Sequence, residues 1–145
     1  MVSKSLSINV SSYKLAAIFK EFKELPVWKY KNIASGSLRV FLDLAVDEFI
    51  ETQNLRSDVS KECKKRYEDV TLQQRLKFLV ETHITDKKAN KVIRELLQHS
   101  NQYSLDTLNN YIHGKEVHHV ERRTLNKFWD MLVPLFVVLI DLKAK

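Results

Sequence analysis

At 145 residues, with a net charge of +6 at neutral pH and a single cysteine, Cys63, the chain has the length of one ordinary domain; it can form neither an internal disulfide nor a multi-cysteine zinc site. The N-terminal "MVSKSLSINV" lacks a long apolar core and a small-residue cleavage signature, and the longest apolar run, "MLVPLFVVLI", falls far short of the roughly 20 residues that a membrane-crossing helix needs. The expectation is a cytoplasmic protein with no membrane partner, whose positive charge permits RNA or DNA as a partner without requiring it.

Two glycines and two prolines leave almost no hairpin turns or strand punctuation, so the predicted class is all-α: one compact bundle of five to seven helices over residues 1–145. Ser11 or Ser12 is placed to cap a first helix that carries Leu15, Ile18, Phe19 and Phe22 on one face and stops at Pro26. A second helix runs from about Lys31 to Thr52. Residues 54–70 turn polar and basic and are predicted as a loop with one helical turn at most. Thr71 and Gln74 have the spacing of a capping box for a helix with Leu72, Leu76, Leu79 and Val80, and Thr85 is placed to cap the next, with Ala89, Ile93, Leu96 and Leu97. Ser104 caps a short helix that ends at His113, with Gly114 as its left-handed stop.

The last predicted helix runs from about Val120 to Leu142. Its face of Leu125, Phe128, Trp129, Leu132, Phe136 and Leu139 is an ordinary buried stripe, but from Met131 to Ile140 the other positions are apolar too. Such a segment is either surrounded by other helices or shared with a second copy, and a homodimer is expected. Pro134 removes the hydrogen bond to the carbonyl of Asp130 and is expected to kink the helix, unless the helix restarts there.

Two polar pairs flank apolar arcs in the same manner. On the second helix, Leu38, Phe41, Leu42, Ala45 and Phe49 form the arc, with Arg39 and Asp43 at its edge one turn apart. On the short helix, Leu105, Leu108 and Ile112 form the arc, flanked by Asn109 and His113. If these helices pack together, the four polar groups converge. Taken separately, an Arg–Asp pair at i, i+4 is an ordinary helix ion pair, and a histidine at a helix C-terminus is an ordinary partner of the helix dipole.

The segments "SLRVFLDLAVDEFIE", "SLDTLNNYIHG" and "LNKFWDMLVPLF", in this order, resemble the helical HEPN superfamily over about Lys31 to Leu142. In those proteins an early helix carries an arginine followed four residues later by an acid, matched by Arg39 and Asp43, and a later helix carries an N-x-x-x-H element, matched by Asn109 and His113. The resemblance implies a module of prokaryotic multidomain or defence proteins, commonly dimeric. Active members are metal-independent endoribonucleases in which an arginine shortly before the histidine stabilises phosphate charge and the histidine moves the 2′-hydroxyl proton. Here the positions for that arginine are Asp106, Thr107 and Leu108, none of them basic. The resemblance therefore implies a non-catalytic interaction or dimerisation domain, with an endoribonuclease as the alternative should Arg39 take the missing role.

Other chemistries find less support. His113, His118 and His119 lack an acidic or cysteine cluster to complete a metal site, and no glycine loop for phosphate is present. Arg56, Lys61, Lys64, Lys65 and Arg66 are interleaved with acids, and Arg122, Arg123 and Lys127 lie at different angles around their helix. No cofactor or metal is predicted.

Overall fold

A computed structural model describes residues 1–113 and 121–144, the side chains of residues 111–113 excepted. The described residues form seven α-helices: α1 (Tyr13–Glu24), α2 (Lys31–Thr52), α3 (Arg56–Cys63), α4 (Leu72–Thr82), α5 (Lys87–Leu96), α6 (Leu105–His113) and α7 (Arg122–Ile140). A 3₁₀ turn spans Tyr67–Asp69. None of these helices is long and apolar enough to cross a membrane. The bundle is all-α, with one departure: β1 (Leu6–Ser7) pairs antiparallel with β2 (Lys143–Ala144), joining residues from the two ends of the chain.

Local signals set most helix starts. Ser12 accepts a hydrogen bond from the Leu15 amide, while Ser11 turns its amide and hydroxyl to Glu48 on α2 instead. Thr71 and Gln74 close the reciprocal capping box at α4, and Ser104 accepts from the Thr107 amide at α6. At α5 the cap is Asp86, whose carboxylate accepts from the Ala89 amide, and not the expected Thr85. The stronger acceptor one residue later takes the N-cap.

Residues 54–70 depart from the expected loop. Leu55 and Val59, one turn apart, are both buried, and Cys63 continues their line half-buried against the core. These anchors hold the otherwise polar α3 against α4. In a chain so poor in glycine, helices α3 and α7 end on left-handed Lys64 (φ 53°) and Asp141 (φ 52°). The Gly114 stop and the two histidines His118 and His119 lie outside the described residues.

Helix α2 is the axis of the fold, packed by α1, α4, α6 and α7. Ala34 and Leu125 share a small cluster with Val27, and further along Phe41 meets both Trp129 and Phe136, so α2 and α7 run side by side in the same direction. Phe41 is wholly buried and lies 5.1–5.8 Å from the rings of Phe136, Phe22 and Phe19. Helix α7 passes through Pro134 as one element. The Asp130 carbonyl that loses its N–H partner belongs to an exposed residue, where water can replace the bond. Its apolar girdle is explained chiefly from within. Leu132, Leu135, Phe136, Leu139 and Ile140 are buried, and Met131, Val133 and Val138 pack half-buried against the same core, leaving Val137 exposed.

Because Phe41 touches four aromatic neighbours on two helices, Phe41→Ala is expected to lower unfolding free energy by about 3–5 kcal/mol. Urea denaturation followed by circular dichroism measures this; a loss under about 1 kcal/mol would show that the aromatic centre is not where the fold's stability resides.

Candidate functional site

The second face of α2 carries Arg39, Asp43 and Asp47, spaced one turn apart, and each meets a different element. Arg39 donates from Nε to Oδ1 of Asn109 on α6 at 3.0 Å and from Nη1 to Oδ2 of Asp43 at 3.1 Å. The other carboxylate oxygen of Asp43 accepts from Nη2 of Arg75 on α4 at 2.6 Å. Asp47 accepts from the hydroxyl of Tyr67 in the 3₁₀ turn, and the Arg56 guanidinium lies 4.3 Å over that ring. Burial, and secondarily this bond to Asp47, holds the Tyr67 phenol well above its ordinary pKa, so it serves as a fixed donor.

The expected convergence thus holds for three of the four named residues: Arg39, Asp43 and Asn109 meet. The backbone of His113 closes α6, but its side chain lies outside the described residues. Arg75 completes the seam and was not among the candidates. It occupies a core position beside Leu76 and Leu79, with its side chain only 9% exposed. A cation in the apolar stripe of a helix is the signal that reveals such a residue, since a buried guanidinium needs a carboxylate partner.

Beside Arg39 and Asn109 opens a cavity of about 270 Å³. The start of α4 contributes Thr71, Leu72 and Gln73; Leu96, Leu97 and Leu105 supply apolar walls; His99 and Asp106 complete the lining. His99 Nδ1 lies 2.6 Å from Asp106 Oδ2, an exposed pair between the α5–α6 connection and the first turn of α6. Among the described residues, no group of three or more His, Cys, Asp or Glu side chains is placed to hold a metal ion.

Chemically, the seam holds a cation rigidly beside a small cleft. Two nitrogens of Arg39 are already engaged by the chain's own acceptors, and Asp43 lies against its charge. Comparison of the chain with protein-family models, curated proteins and solved structures gave no match.

The seam predicts an order of effects. Asp43→Ala leaves Arg75 buried without its carboxylate and should cost roughly 2–3 kcal/mol, below the full value for a buried pair because Asp43 is itself about a third exposed. Arg39→Ala, which removes a shallower partner, should cost about 1 kcal/mol. Equilibrium denaturation of the two variants checks the order, and the reverse order would show that Arg39, rather than Arg75, depends most on this carboxylate.

Proposed function

We propose that this chain is a non-catalytic HEPN-like interaction domain that forms homodimers within a prokaryotic defence-type or nucleic-acid-associated system. The observation that carries the non-catalytic reading is the state of Arg39. It is the residue available to replace the absent motif arginine, and its guanidinium is committed to Asp43 and Asn109. A cation that stabilises a phosphodiester transition state must direct uncompensated charge at the reacting phosphate. Arg39 instead braces α6 against α2. Asn109 likewise gives its carbonyl oxygen to that brace, which accounts for its place one turn before His113 without any role in cleavage.

The endoribonuclease alternative draws on one feature, the cavity that opens where Arg39 and Asn109 stand. The two readings separate in a cleavage assay with single-stranded RNA and transfer RNA in EDTA. The wild-type protein is expected to leave both intact, while Asn109→Ala and His113→Ala lower the melting temperature. Cleavage giving cyclic-phosphate ends and abolished by His113→Ala, with melting unchanged, would replace the interaction reading with the nuclease.

Dimerisation is supported by Val137, left 47% exposed on a helix otherwise apolar around it. Sedimentation equilibrium at micromolar concentration should show a dimer that Val137→Glu weakens without loss of helicity. The same substitution at Val138 should damage the fold itself, because that side chain packs against the core. A strict monomer at high concentration would remove the dimer from the reading.

A further inference from the structure

Helix α5, which carries none of the motif residues of the family resemblance, has the sequence KKANKVIREL, with four cations and a single acid, Glu95. By the helical repeat, Lys87, Lys91 and Arg94 fall within about 60° of one another, opposite the buried Ala89, Val92, Ile93 and Leu96. All three are exposed, as is Lys88 on the flank. Among the described residues none of these four cations takes part in an ion pair; the nearby Asp86 carboxylate is occupied as the helix cap.

This crest borders a trough. Between α4 and α5 lies a groove of about 450 Å³, whose lining includes Gln73, Lys77 and Glu81 from one side and Arg94 and Leu97 from the other. Gln73 and Leu97 also line the cavity beside Arg39, so the two depressions lie side by side. The groove thus carries Lys77 and Arg94, and the neighbouring cleft has leucine walls with Asn109 and the fixed Arg39 guanidinium in its lining.

We propose that the α5 crest and the α4–α5 trough bind the phosphodiester backbone of a single-stranded nucleic acid, with one base turned into the cleft beside Arg39 and Asn109. The cations recur along the helix axis at steps of about 4.5–6 Å and have no carboxylates of their own, which suits a ligand carrying one negative charge per repeat. An acidic peptide matches the crest but has no planar ring for the cleft. A duplex keeps its bases stacked inside and cannot fill it. The leucine walls suit the face of a base, and Asn109 and Gln73 suit its polar edge.

Fluorescence anisotropy of the full chain with labelled uridine and thymidine strands of about a dozen nucleotides tests this. With about four phosphate contacts, the affinity should fall roughly 50-fold between about 50 and 200 mM salt, and the tighter of the two strands identifies RNA or DNA as the source. The triple variant Lys87→Glu/Lys91→Glu/Arg94→Glu, confined to exposed positions, should bind at least about tenfold more weakly with helicity and melting retained. Lys14→Glu/Lys20→Glu, which changes the charge by four at exposed positions of α1 against six in the triple variant, should bind nearly as wild type. An abasic strand of the same length should bind about tenfold more weakly, through loss of the base contact. Absence of binding at the lower salt, undiminished binding by the triple variant, equal affinity for a duplex, or displacement by polyglutamate at matched charge would each overturn the proposal. The thymidine arm has no 2′-hydroxyl and so does not depend on whether the chain cleaves RNA.

Discussion

The Asp43 carboxylate is the constraint on which the arrangement of helices turns. Arg75 is buried on α4, where its permanent charge is costly without an acceptor, and Asp43 on α2 supplies one at 2.6 Å. The other oxygen of the same carboxylate orients Arg39, which in turn holds Asn109 on α6. One side chain therefore relates α2, α4 and α6. Apolar burial, centred on Phe41, supplies most of the driving force for collapse, but it is tolerant of small slides between helices. A fixed set of charged hydrogen bonds is much less so, and the seam selects one alignment among those the apolar packing permits.

Much of this architecture could be read from local signals. The bounds of α2, the capping box of α4 and the serine caps of α1 and α6 depend on residues within a turn or two of each other, and they appear where spacing placed them. The features that escaped depend on contacts distant in the chain. Arg75 stands out locally only as a cation within an apolar stripe, and its partner is not legible until Asp43 is brought opposite it. The β1–β2 pairing joins residues near positions 6 and 144, which no local pattern relates. Helix α3 is an intermediate case. Its line of Leu55, Val59 and Cys63 has helical period, but it is thin and surrounded by charge, so composition alone suggests a loop.

The same contrast applies to the candidate site. Arg39, Asp43 and Asn109 were identifiable because each is polar at the margin of an apolar arc, a position that requires a partner in the folded state. The crest of α5 was obscured by averaging. The chain's charge of +6 is modest for its length, and the obvious basic run, residues 56–66, is interleaved with acids. Only when α5 is resolved around its axis do Lys87, Lys91 and Arg94 fall on one exposed line. What matters to a polyanion is the sign of the charge on a continuous surface, not the total over the chain.

The two readings of Arg39 are then compatible in physical terms. A catalytic arginine must meet negative charge that grows as the reaction proceeds, and an adjacent carboxylate cancels much of that advantage. A recognition arginine has a different requirement. Its plane and remaining donors must be held still, so that ordering them adds little cost when the ligand arrives. Asp43 and Asn109 provide this fixity while reducing the net charge that would drive chemistry. The bracing that weakens Arg39 as an electrostatic catalyst thus suits it to the role proposed for it, a rigid wall of a binding cleft, with the charge that would attract the ligand placed elsewhere, on the exposed face of α5.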